Sequence, residues 1–219
     1  MNMQAEEEQI QALKQWWSDN GSSLIFSLVL GLGAVVGWNW WQDSQQSRLE
    51  NSFVEFQALV AQLDTLEQNP GDEVKVAEAD FLAQQIKERY PSSLHASFAA
   101  FLKAKQAVKD EDFDAAKKEL TWVLEQQESA EINLIASLRL AKVHFAVGEH
   151  EAAMNVLDVP DAGSFSPAFS ELKGDILFAQ QRYQDAYEAY ETARDSVESA
   201  GVRSTPLLET KLGYAKSFL

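Results

Sequence analysis

Residues 171–190 read ELKGDILFAQQRYQDAYEAY, and two earlier stretches repeat their pattern: FLKAKQAVKDEDFDAAKKEL at 101–120 and LRLAKVHFAVGEHEAAMNVL at 138–157. In register, a small residue recurs at Ala104, Ala141 and Gly174, and a turn follows. A ring then falls at Phe113, His150 and Tyr183, and an alanine at Ala116, Ala153 and Ala186. Four residues later stands Leu120, Leu157 or Tyr190. The small residues lie 37 and 33 apart. A period near 34 with these residue types predicts pairs of antiparallel helices joined by short turns. The small residue of the first helix meets the alanine of the second where the two cross closely. The ring fills the gap between neighbouring units. No unit buries its apolar face alone, so the units stack, and about three are needed for stability.

This is the spacing of a tetratricopeptide repeat. The third unit fits best. The second is degenerate, with His150 in place of the usual ring and Pro160 where a small residue is expected. Outward towards the N-terminus, Leu49, Phe53, Phe56, Leu59, Val60 and Leu63 recur at helical spacing across 46–68. Asn69-Pro70-Gly71-Asp72 is a break. A helix over 73–89 follows, carrying Val76, Ala79, Leu82, Ala83 and Ile86. Tyr90-Pro91-Ser92 stops it, and Ser92 or Ser93 caps the next. This helical pair begins the solenoid as a divergent unit, and clear repeats run over about 92–200. Thr205-Pro206 opens a last helix to about residue 218, which covers apolar surface the final unit would otherwise expose. Strand-like alternation is missing, and Leu, Ala, Glu, Gln and Lys dominate. The expected fold is all-α: a single N-terminal transmembrane helix followed by a tetratricopeptide-like α-solenoid.

The membrane helix is read from residues 20–42, which carry no formal charge. Twenty-three residues cross a hydrocarbon core of about 30 Å. The heart, LIFSLVLGLGAVVGW at 24–38, is apolar on all sides, unlike a soluble amphipathic helix. Trp16 and Trp17 precede it, and Trp38, Trp40 and Trp41 close it, as in an interfacial aromatic belt. The acidic start (Glu6, Glu7, Glu8) and the bulky end argue for an uncleaved anchor over a cleaved signal peptide. Lys14 on one side and Arg48 on the other nearly balance, leaning to N-terminus inside. The chain then divides into a tail over 1–20, a span over 21–42 and a repeat domain over 43–219. Ser23, Ser27 and Gly31 are spaced by four, as are Gly33 and Gly37. That spacing lets a partner membrane helix pack closely, although glycine is also common in such helices.

The chain's 219 residues hold 18 Lys and Arg against 34 Asp and Glu, a net charge of −16. Such a balance disfavours nucleic-acid binding, which needs clustered cations. The absence of cysteine excludes thiolate catalysis and cysteine zinc sites. His150-Glu151 starts like a zinc helix motif, but the second histidine is missing. No glycine-rich phosphate loop, nucleophile elbow or calcium loop is present. The expectation is a non-enzymatic protein without metal or cofactor. Asp110-Glu111-Asp112 reads as a solvated turn and helix cap. Projecting the repeat register places Phe101, Lys105, Lys142, Phe145, Asp175 and Phe178 in a concave groove for an extended peptide or a partner helix. A register slip of one residue would put the phenylalanines in the core instead.

The order of short tail, single anchor and helical repeats resembles the YfgM family of bacterial inner-membrane proteins. The residues that carry the resemblance are LKQWWSDNGSSL at 13–24, the glycine-rich anchor ending in WNWWQ at 38–42, and the repeats above. The resemblance implies an ancillary subunit of the SecYEG translocon with a cytoplasmic tail and a periplasmic repeat domain. It implies association with the periplasmic chaperone PpiD, help in handing newly exported client polypeptides to periplasmic chaperones, and a link to envelope stress. It carries over no catalytic residues. Alternatives are a cytoplasm-facing docking adaptor, a homo-oligomeric scaffold built through Gly33 and Gly37, and an enzyme with an unrecognised site.

Overall fold

The computed structural model describes residues 3–68 and 72–219. The Asn69-Pro70-Gly71 break lies outside the described residues. Among the described residues, nine α-helices and one 3₁₀ turn form and no strand does. The chain divides into two compact units, residues 1–51 and 52–219.

The described residues of the first unit lie within α1, Met3–Gln68. No Pro or Gly interrupts residues 38–68, so the apolar run and the 46–68 segment fall in one helix. Near the N-terminus α1 is long and apolar enough to cross a membrane. The large apolar side chains of this stretch are exposed, Phe26 and Val36 at 67% each. A soluble domain would bury such a face; lipid accepts it. The Ser27 hydroxyl donates to the Ser23 carbonyl at 2.8 Å. This leaves no unpaired hydroxyl in the apolar run at that position.

The second unit continues from Ser52 with α2 (Glu73–Arg89), α3 (Leu94–Lys109), α4 (Phe113–Gln126) and α5 (Ala130–Ala146). Then come α6 (His150–Val156), the 3₁₀ turn Gly163–Phe165, α7 (Ser166–Ala179), α8 (Tyr183–Ser199) and α9 (Pro206–Lys216). Their starts follow ordinary capping chemistry. Asp72, Ser93, Asp112, Ser129 and Thr205 each accept a backbone N–H from the first turn. Ser93, not Ser92, is thus the cap of α3. In the degenerate second unit α6 has only seven residues, and the chain leaves helix before Pro160.

The core is a chain of apolar clusters, each shared by consecutive helices. Leu59 of α1 packs with Ala83 and Ile86 of α2 and Ala96 and Ala99 of α3. Ala104, Ala116, Leu120, Val123 and Leu140 join α3, α4 and α5. Ala141, Ala153, Leu157 and Ile176 join α5, α6 and α7. Leu177, Tyr190, Leu208 and Leu212 join α7, α8 and α9. Each cluster borders the next, so stability is built from neighbour interfaces, as in a solenoid.

Candidate docking groove

The three repeat turns share one geometry. Glu111, Gly148 and Gln181 occupy the left-handed region at φ 58°, 78° and 62°. The next residue's N–H closes each helix five residues back: Asp112 to Ala107 at 2.8 Å, Glu149 to His144 at 2.9 Å, Arg182 to Leu177 at 3.0 Å. The Asp110-Glu111-Asp112 run is therefore the counterpart of Val147-Gly148-Glu149, with Asp112 capping α4.

The small residues lie in the core, but they do not all meet the same partner. Ala104 shares a cluster with Ala116, and Ala141 shares one with Ala153. At Gly174 the close neighbour is the Tyr190 ring, three atoms of which lie within 3.0 Å of where a Cβ would stand. Ala186 is also fully buried there. The half-buried rings make contacts inside their own units, His150 with Phe145 at 5.6 Å and Tyr183 with Phe178 at 5.1 Å, while Phe113 joins the first cluster and Tyr183 also stacks on Phe218 at 4.4 Å.

Of the projected groove residues, Phe101, Lys105 and Lys142 line one depression of about 760 Å³ between α1, α3, α4 and α5. Phe101 is nearly buried and forms its floor, while both lysines are exposed. Phe145 packs elsewhere, with the α5–α7 cluster. Asp175 and Phe178 lie under α9. Asp175 accepts the Tyr190 hydroxyl at 2.9 Å and the Lys211 ammonium at 2.8 Å, and Phe178 meets Tyr214 and Phe218. Burial, together with the Asp175 carboxylate, pushes the Tyr190 hydroxyl far above its usual range. Burial works to lower the Lys211 pKa, but its bonds to Asp175 and Glu171 outweigh it and leave the ammonium raised. Thus the third unit's share of the projected groove is occupied by the chain's own last helix.

The depression also holds residues that the repeat register did not pick out. Phe56 of α1, Phe98 of α3 and Ile135 of α5 extend its apolar wall. Lys109 and Arg139 add two cations to its rim. The Arg139 guanidinium stacks over the Phe101 ring at 4.4 Å, and burial pushes its pKa down. The signal was present in the spacing Phe98, Phe101, Leu102, Lys105, Lys109 and in Ile135, Arg139, Lys142, each a single helix stripe. Beside the groove Lys87 and Glu119 form a buried pair. Lys103 bridges Glu119 at 3.4 Å and Asp80 at 2.8 Å, and Lys87 lies over Trp122. This network ties α2, α3 and α4 together behind the groove.

In the first unit Gly31, Gly33 and Gly37 have nothing within 4 Å of a built Cβ. Among the described residues no group of three His, Asp or Glu side chains is placed to hold a metal ion.

A helix able to span a membrane followed by an array of stacked helical pairs defines the class: an anchored tetratricopeptide-like repeat protein. The model of the tetratricopeptide repeat-like domain family matches residues 14–216. A protein of Haemophilus influenzae named as an ancillary SecYEG translocon subunit is 30% identical over 191 residues, covering 87% of this chain and 89% of its own. Proteins of the same name match from Aggregatibacter actinomycetemcomitans, at 30% over 94% of this chain and 96% of theirs, and from Escherichia coli, at 26% over 93% and 91%. The chain belongs to this family of ancillary SecYEG translocon subunits.

Proposed function

We infer that the protein associates with the SecYEG translocon as a non-enzymatic ancillary subunit of the bacterial inner membrane. The observation that carries this reading is the near full-length likeness to relatives named for that role. Residues 1–20 form a cytoplasmic tail, residues 21–42 span the membrane, and residues 43–219 stand in the periplasm. Lys14 against Arg48 supports this orientation by a narrow margin. The anchor raises the local concentration of the repeat domain at the channel exit. There the domain docks the chaperone PpiD and assists transfer of exported polypeptides to periplasmic chaperones.

The test has two parts. Protease added to spheroplasts should digest a tag placed after Leu219, and protease added to inverted vesicles should not. Gentle detergent extraction should then recover SecYEG and PpiD with the tagged protein. Digestion only in inverted vesicles would make the protein a cytoplasm-facing adaptor, and recovery without SecYEG would remove the translocon role.

A further inference from the structure

The groove between α3 and α5 has a charge character opposite to that of the protein. The chain carries almost two acids for every base, 34 to 18. Yet the charged residues lining this groove are Lys105, Lys109, Arg139 and Lys142, and no Asp or Glu joins them. Among the described residues none of the four forms an ion pair. Two neighbouring lysines, one on α3 and one on α4, are instead paired: Lys103 is held by Asp80 and Glu119, and Lys117 by Asp114 and Glu149. Asp64 and Asp110 border the neighbouring depression, which shares Lys105 and Lys109, and neither pairs with them.

Beneath the cations the surface is apolar and partly open. Phe98 is 36% exposed and Val108 41%, above a floor of Phe101 and Leu120. Open aromatic surface ringed by unpaired charge of one sign is an arrangement for a ligand that brings both complements. An inorganic or nucleic-acid polyanion would leave the apolar floor unused, and a purely apolar segment would leave four cations without partners.

We propose that this groove docks a segment of a partner protein in which aliphatic or aromatic anchors alternate with Asp and Glu. The anchors fill the depression over Phe98 and Phe101, and the carboxylates meet Lys105, Lys109, Arg139 and Lys142. Two features set the choice of partner chemistry. The complementary charges favour encounter and register, and the buried rings supply affinity. The site takes the segment from the α1–α3–α5 side, because the corresponding residues of the third unit, Asp175 and Phe178, are covered by α9. The proposal rests on the docking role given above only in that the domain meets a protein partner.

The experiment uses the full chain in detergent micelles and a fluorescein-labelled peptide of about 16 residues, with Leu and Phe at helical spacing among Glu and Asp. Two control peptides carry Lys in place of the acids, or Ser in place of the apolar residues. Fluorescence anisotropy at low salt should show binding of the first peptide and at least tenfold weaker binding of both controls. Lys105→Glu with Lys142→Glu should weaken the first peptide by about tenfold or more and strengthen the lysine control, with the effect shrinking at high salt. Phe98→Ser should weaken it at every salt concentration. Both lysines are exposed, so thermal melts of the double variant should match the parent. Unchanged affinity in the double variant overturns the proposal. So does displacement by polyphosphate as effective as by unlabelled peptide, because cations alone would then make the site. A parent that co-extracts with SecYEG but ignores the peptide loses the groove alone. A parent that binds the peptide through the groove but fails to co-extract loses the translocon role alone.

Discussion

Gly174 and Tyr190 form a matched pair that explains why the third repeat departs from the other two. Units one and two pair alanine with leucine, Ala104 with Leu120 and Ala141 with Leu157. In the third unit a ring replaces the leucine, and its atoms stand within 3.0 Å of any Cβ at position 174. The ring cannot easily retreat, since it is buried and its hydroxyl is bound to Asp175. Gly174→Ala gains about 1 kcal/mol in helix propensity, but overpacking costs about 1 to 3 kcal/mol. The variant should therefore melt at lower temperature than the parent. In a Tyr190→Leu background the same change should raise the melting temperature, and this reversal of sign in a double-mutant cycle is the check. His95 makes a second residue-scale prediction. It is hydrogen-bonded to Ser52 at 2.9 Å, packs against Phe53 and Phe56, and burial holds its pKa below the ordinary histidine value. A depressed folded pKa gives stability that is complete above the unfolded value, about 6.5, and is lost as pH falls through the folded one. Melting temperature should drop between pH 7.5 and 5, and His95→Gln should flatten that part of the profile.

At the scale of elements, the repeat turns show the same backbone demand met by different residues. Gly148 takes the left-handed conformation without strain, whereas Glu111 and Gln181 adopt it with a side chain. Both side chains are exposed, so nothing is lost by removing them. Gln181→Gly should stabilise by roughly 0.5 to 1 kcal/mol, less than the full strain because glycine also frees the unfolded chain. Gly148→Ala should destabilise by a similar amount, and urea midpoints compare the two. The α9 cap poses a different demand. Leu208, Leu212 and Ala215 complete a core with Leu177, Ala186 and Tyr190, and Lys211 is bound to Glu171 and Asp175. Truncation after Gly201 should therefore expose an apolar face, seen as dye binding and loss of a cooperative melt.

Over the whole chain, what the sequence discloses follows from how local each signal is. The helical pairs, the caps at Asp112 and Thr205 and the apolar run depend on residues a few positions apart and are readable from spacing, whereas the cap of α3 is narrowed by spacing only to Ser92 or Ser93. The groove depends on which helices become neighbours. Register alone could not show that α9 covers Phe178, nor that Arg139 lies over Phe101. The membrane helix carries a local signal of another kind, the spacing of Gly33 and Gly37, and its meaning is intermolecular. Neither glycine has an atom within 4 Å of a built Cβ, so a side chain at either position starts in open space. Leucine is also the better helix former and at least as favourable in lipid. Gly33→Leu with Gly37→Leu should therefore insert and melt like the parent. If these glycines let another membrane helix approach, the double variant loses that close packing, and recovery of the partner after gentle extraction falls about tenfold, which corresponds to roughly 1.4 kcal/mol of lost association. Crosslinking within the membrane distinguishes a second copy of this chain from a translocon helix as that partner. Recovery equal to the parent's would make the span a tether and shift the docking contacts to residues 52–219, where the groove variants would then control recovery.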